Sequence, residues 1–170
     1  MNKKGIVLAG LFTMTLMLIS VSSAFAQATA GQKDWGILVA KIVMGFSLSL
    51  GLAGSAVGLA ISFSALLGGG AENFFKNIAV ALMPSTQGIY SIVVLFANMG
   101  NFEMDPYAVA GKAAAFGFTM FFSAWYQGIV CAAGIRSILE GKNTLANAMV
   151  SGAMPETYAV FALVMTFIMR

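Results

Sequence analysis

Between Asn143 and Met169 the chain carries one charged side chain, Glu156, about halfway along a run that is otherwise apolar or weakly polar. Read as a helix rising ~1.5 Å per residue, the run crosses a bilayer and puts the carboxylate ~20 Å from either end, near the midplane. A carboxylate at that depth costs about 2.5–3.5 kcal/mol on insertion scales, which demands polar partners, an ion or a proton. Polar side chains lie in the middle of two other apolar runs: Thr86, Gln87 and Tyr90 in one, Gln127 in another. Thr86 and Tyr90 are four apart and Gln87 and Tyr90 three apart, so a helix presents them on one face. Gln127 precedes Arg136 by nine residues and sits well inside its span. Pro84 and Pro155 each remove a backbone donor and free carbonyls just upstream. Hydroxyl, amide oxygen, carbonyl and carboxylate are hard oxygen ligands, suited to a small hard cation or to a proton held on the carboxyl group.

The composition narrows the chemistry further. Of 170 residues, 59% are hydrophobic and 9% charged, and the mean hydropathy is +0.89. Soluble domains carry about a quarter charged residues, so this is an integral membrane protein. The net charge of +3 rests on very few groups, two of them Lys3 and Lys4, and implies no nucleic-acid partner. With no histidine and one cysteine, imidazole metal sites, Ser-His-Asp or Cys-His catalysis and internal disulfides are excluded. Cys131 reads as a small packing residue in an apolar helix. Phosphate-loop and nucleotide-fold motifs are absent, so the chain is expected to be no enzyme and to hold no cofactor.

The elements that must position these groups are helices. Lys3 and Lys4, the apolar stretch Gly5 to Val21 and the small-x-small triplet Ala24-Phe25-Ala26 predict a secretory signal over residues 1–26, cleaved after Ala26. Four spans follow: Trp35 to about Leu67, Asn77 to about Met99, Tyr107 to about Ile135, and the run around Glu156. Gly68-Gly69-Gly70 with Glu72 and Lys76 is expected as one inner loop, Glu140 to Asn143 as the other, and Gly100 to Pro106 as an outer turn. Gly51, Gly54, Ser55, Gly58 and Ser62 form a small-residue stripe on the first span, which lets helix backbones approach closely in lipid. Lys41 and Lys112 can snorkel to the interface. A cleaved signal places both termini outside, in a multi-pass inner-membrane protein.

Shifting the chain by 71 residues superposes its halves. Lys41 falls on Lys112, Gly70 on Gly141, and Met83-Pro84-Ser85-Thr86 on Met154-Pro155-Glu156-Thr157. The fold class is therefore all-α membrane: four transmembrane helices as two tandem, parallel-repeat hairpins, 27–100 and 101–170. The second hairpin carries the carboxylate; the first has Ser85 in its place.

These residues resemble a known family. Ala81-Leu82-Met83-Pro84-Ser85-Thr86-Gln87-Gly88-Ile89-Tyr90 is similar to the LPGTQGLYG segment of V-type ATPase proteolipids. Gly152 to Ala159 resembles their ion-carrying helix, and Gln127-Gly128 with Ala132-Ala133-Gly134-Ile135 their third helix. The departures are Met83 for Leu, Ser85 for Gly, and Pro155 where many members have Val. The resemblance implies a homo-oligomeric rotor ring in lipid, turned by ATP-hydrolysing partners through central-stalk subunits at the cytoplasmic loops, against a stator membrane subunit that supplies an Arg. It implies transported Na⁺ or H⁺ and, for Na⁺, a ligand set of Glu156, Gln87, Gln127, Thr86 and the backbone carbonyl of Met83. Tyr90 would hydrogen-bond the carboxylate. The effect of proline on its own helix points instead to carbonyls one turn upstream of Pro84. The alternative function is a structural or pore-forming four-span oligomer in which Glu156 sets helix register and carries nothing.

Overall fold

Glycines and hydroxyls, more than large apolar side chains, decide how these helices pack. In the computed structural model, which describes residues 35–169, the chain is a succession of helices joined by short turns. They are α1 (Trp35–Gly68), α2 (Ala71–Leu82), a single 3₁₀ turn (Met83–Ser85), α3 (Thr86–Asn98), α4 (Pro106–Leu139) and α5 (Leu145–Ile168). With α2 and α3 taken as one interrupted span, four helices among the described residues are long and apolar enough to cross a membrane. The expected signal segment, 1–26, lies outside the described residues.

The two halves share their local geometry. α1 and α4 each run for 34 residues, and their boundaries differ by the 71-residue offset. Gly70 and Gly141, equivalent under that offset, both close their helix–helix turns with positive φ, 75° and 69°. That left-handed backbone excludes most side chains, so the glycines mark the same turn twice. Asp105 accepts a hydrogen bond from the Ala108 N–H to cap α4, with Pro106 in the first turn, and Thr144 does the same for Asn147 at α5.

The helices begin and end further out than the hydrophobic spans suggested. Glu72 and Lys76, expected in a loop, lie on α2, and the turn is reduced to Gly69 and Gly70. Arg136 likewise lies on the last turns of α4. The helix continues past the apolar span because its backbone hydrogen bonds close equally well in water, and Glu72 complements the positive end of α2.

α1 and α4 share the most extensive packing, followed by α4 and α5. The small-residue stripe does what its spacing predicts. A Cβ added at Gly58 would lie 2.4 Å from the Ala124 carbonyl oxygen, and one at Gly128 would lie 2.4 Å from that of Gly58. Such contacts put the α1 and α4 backbones against each other, where dispersion and not hydrophobicity holds helices together. Two apolar clusters result. One holds Met44, Val94, Phe116 and Met120; the other holds Leu66, Val80, Cys131 and Ile135. Between them lies a polar layer containing Gln87, Ser123 and Gln127.

The two proline motifs, alike in sequence, differ in backbone. At Pro84 the span breaks into the 3₁₀ turn, whereas α5 runs through Pro155 as continuous helix. α1 supports the break at Pro84 with hydroxyls. Ser62 Oγ donates to the Ala81 carbonyl at 2.7 Å, and the Gly88 N–H donates to Ser55 Oγ at 2.8 Å. These hydroxyls satisfy backbone groups that a broken helix in lipid would otherwise leave unpaired. The offset places Tyr126 and Ala133 at the corresponding positions of α4. Tyr126 is exposed and Ala133 has no hydroxyl, so neither supports a break at Pro155.

Candidate functional site

Glu156 is half-buried on α5, facing α3 and α4. Tyr90 Oη of α3 donates to its Oε1 at 3.0 Å, and Gln127 Nε2 of α4 donates to its Oε2 at 3.2 Å. Each carboxylate oxygen therefore has a donor from a different helix. Charge-assisted bonds of this kind are worth about 1.5–3 kcal/mol each, so the two together are enough to cover the ~2.5–3.5 kcal/mol insertion cost of the carboxylate.

Gln127 is fully buried, as is Gln87. Gln127 Nε2 also donates to the Gly152 carbonyl at 2.9 Å, and its Oε1 accepts from Gln87 Nε2 at 2.7 Å. On the far side of Gln87, its Oε1 lies 3.2 Å from Thr86 Oγ1, which is itself 3.1 Å from the Met83 carbonyl oxygen. The Met83 carbonyl also accepts the backbone N–H of Thr86. One hydroxyl proton can serve only one acceptor, so three oxygens from three functional groups crowd together with little donor density among them. The Met83 carbonyl belongs to the 3₁₀ turn, and Thr86 is the first residue of α3 beyond it.

The carbonyls one turn upstream of Pro84, to which the proline pointed, are occupied within the fold. That of Val80 accepts the Met83 N–H and that of Ala81 accepts Ser62. The Met83 carbonyl is the one beside Thr86 and Gln87. All six residues singled out in the sequence thus lie in one network, with Tyr90 and Gln127 touching the carboxylate. Gln87 reaches it through Gln127, and Met83 and Thr86 adjoin Gln87. Gln127 turns its amide nitrogen to Glu156 and its oxygen to Gln87.

Sequence reading missed Ser123. Its Oγ accepts from Gln87 Nε2 at 3.2 Å and donates to the Pro155 carbonyl at 2.7 Å. The available signal was its position four residues before Gln127, on the same face of α4. A serine in an apolar helix more often bonds its own backbone, as Thr119 does with Ala115.

The repeat allows a test of whether a second site exists. Subtracting the offset from the α4 pair Ser123 and Gln127 gives Leu52 and Ala56; adding it to Gln87 and Tyr90 gives Tyr158 and Phe161. Only the hydroxyl of Thr157, which donates to the Met154 carbonyl at 2.7 Å as Thr86 does to Met83, survives from the set. The first hairpin lacks the carboxylate and nearly every side chain that could hold one.

Comparison with known proteins agrees with this architecture. The family of ATP synthase C subunits matches residues 110–169, most of the second hairpin. The V-type sodium ATPase subunit K of Enterococcus hirae is 30% identical over 145 residues, which cover 81% of this chain and 93% of the relative. The A-type ATP synthase subunit K of Methanocaldococcus jannaschii is 33% identical over 130 residues, covering 71% of this chain and 59% of that protein. With a four-span, two-hairpin fold and a relative matched over nearly its whole length, the chain belongs to the V/A-type ATPase subunit K family of membrane proteolipids.

Proposed function

We propose that this chain is the ion-carrying subunit of a V-type ATPase rotor ring and that it moves Na⁺ on Glu156. The observation that carries the reading is one connected site. A mid-span carboxylate is held at both oxygens, and its amide network ends on the Met83, Thr86 and Gln87 oxygens. A proton carrier needs only the carboxyl and an acceptor. The additional hard oxygens favour a small cation, and the sodium ATPase named among the relatives supports the same choice.

The physics of transport follows from charge. An occupied site is neutral and can face lipid, whereas a bare carboxylate at that depth cannot. Release therefore needs an aqueous path and a cation, an Arg of a stator membrane subunit. Met83 carbonyl, Thr86 and Gln87 supply neutral ligand oxygens and Glu156 the charge, while Gln127 bridges Gln87 to the carboxylate and Tyr90 keeps it aimed. The chain itself makes or breaks no bond; ATP hydrolysis belongs to partner subunits acting through the cytoplasmic loops. A signal peptide over 1–26 leaves both termini of this inner-membrane protein on the outer side. The hairpins 27–100 and 101–170 act as one carrier with one carboxylate per four helices.

The test is carbodiimide labelling of membranes containing the intact complex, with and without Na⁺, located by mass spectrometry. Label on Glu156 that Na⁺ slows is the expected result. Label indifferent to Na⁺ makes the cargo a proton, and absence of label at Glu156 removes the carrier role altogether.

A further inference from the structure

The two buried amides are oriented by groups that can hydrogen-bond in only one sense. The Gly152 carbonyl and the Glu156 carboxylate accept and cannot donate, so Gln127 must turn Nε2 to them. Its Oε1 is thereby left to face Gln87, which must answer with Nε2. The second hydrogen of that nitrogen goes to Ser123 Oγ. Ser123 can take it because its own proton is committed to the Pro155 carbonyl, another group that only accepts.

A planar amide held through one N–H can swing about that bond. Held through both, in divergent directions, its plane is fixed and with it the position of its oxygen. The bond to Gln127 alone would leave Gln87 Oε1 free to leave the Met83 and Thr86 oxygens; the bond to Ser123 stops it. Ser123 also grips the carbonyl of Pro155, whose peptide is the one joined to Glu156. One hydroxyl therefore registers α3's neutral ligand against the α5 backbone that carries the charge. Its burial suits that role: the side chain is 7% exposed, beside a cleft of about 510 Å³ between α4 and α5.

We propose that Ser123 is a positioning residue of the ion site: it fixes the amide plane of Gln87, keeping Gln87 Oε1 on the Met83–Thr86 oxygens and so setting the affinity for Na⁺. The inference rests on the sodium-carrying reading above. Protonation of Glu156 does not use Gln87 Oε1, so loss of the Ser123 hydroxyl should separate the two ions.

The experiment compares wild-type, Ser123→Ala and Ser123→Thr in membranes containing the whole ATPase. It reads the carbodiimide labelling rate of Glu156 and the Na⁺ concentration that halves it. Loss of one buried hydrogen bond predicts about a tenfold higher half-protecting Na⁺ for Ser123→Ala, a larger change than in the Na⁺-free rate. Ser123→Thr keeps the hydroxyl and can turn its methyl into the adjacent cleft, so it should restore the wild-type value. A merely structural role would not show this split between the two readouts or its rescue. Wild-type half-protection in Ser123→Ala overturns the inference while leaving the sodium reading intact; absence of Na⁺ protection in wild-type overturns the sodium reading and the inference with it. Should Ser123→Ala not assemble, Ser123→Cys keeps the size with a weak donor and is judged by the same two outcomes.

Discussion

Adding a carboxylate to the first hairpin tests whether its repeat retains a latent site. In Ser85→Glu the new side chain stands where the offset places the equivalent of Glu156. Glu156 is held by donors from Tyr90 and Gln127 at 3.0 and 3.2 Å, and their counterparts are Phe161 and Ala56. Those two charge-assisted bonds, at about 1.5–3 kcal/mol each, are therefore missing in full. The amide of Gln87 has Tyr158 as its counterpart, and Ser123 has Leu52, so no buried amide chain compensates. What remains is the insertion cost, about 2.5–3.5 kcal/mol for a charge at mid-membrane.

The added group should therefore stay protonated or destabilise the assembly by about 3 kcal/mol. The assay has three readouts: ring survival on heating in detergent, carbodiimide label at position 85 with and without Na⁺, and ions moved per ATP in reconstituted vesicles. We expect a less heat-resistant ring, label at position 85 that Na⁺ does not slow, and an unchanged ion-to-ATP ratio. Na⁺-protected label at position 85, or a doubled ratio, would refute the argument that the whole site and not the carboxylate alone is missing from the first hairpin.

Glu156→Gln keeps the volume and an acceptor for Tyr90, so the ring should assemble while ATP-driven ion uptake into vesicles stops; persistent uptake would favour the register-setting alternative. Tyr90→Phe keeps the ring but removes the donor at 3.0 Å from Glu156, and at a half-buried position the lower end of the range applies. Half-protecting Na⁺ should rise about tenfold, and an unchanged value would show that Gln127 alone aims the carboxylate. Gly58→Ala drives a methyl to within 2.4 Å of the Ala124 carbonyl oxygen, a backbone atom that cannot turn aside, so α1 and α4 must separate. A loss of about 1–3 kcal/mol, seen as a lower melting temperature in detergent, is expected. Ser62→Ala leaves the Ala81 carbonyl without its 2.7 Å donor and should cost about 1 kcal/mol in the same melt.

Composition, the charge-free spans and the 71-residue repeat made the four-span, two-hairpin fold legible, because bilayer length and hydropathy leave few alternatives. Glu156 was legible for the same reason: a lone charge in lipid announces itself. Thr86, Gln87, Tyr90 and Gln127 followed from helical spacing and span depth. The 3₁₀ turn was only half visible, since Pro84 and Pro155 predict the same loosening and only one of them breaks its helix. The break at Pro84 is supported by Ser55 and Ser62, two residues that read in sequence as members of a packing stripe. Ser123 was hidden similarly, because a hydroxyl's partner depends on what the neighbouring helix presents. The true helix ends beyond Glu72 and Arg136 were hidden as well, because hydropathy reports where the membrane stops and not where the helix does.

The same two prolines show why the halves could not remain alike. A broken helix in lipid requires hydroxyls from a neighbouring helix to satisfy its open backbone groups. α1 provides them at Ser55 and Ser62. An unbroken helix holds a charged side chain at a fixed height and angle, and α5 does this at Glu156, where α4 places Ser123 on the Pro155 carbonyl and Gln127 on that of Gly152. Serving both needs in each hairpin would require α1 and α4 each to carry supporting serines and amide donors on closely spaced faces. Much of those faces is already taken by Gly54, Gly58 and Gly128, where the α1 and α4 backbones touch. The division puts Thr86 and Gln87 on the first hairpin, and Gln127 and the charge on the second. The close packing of α1 and α4 leaves little surface there for a second set of polar groups.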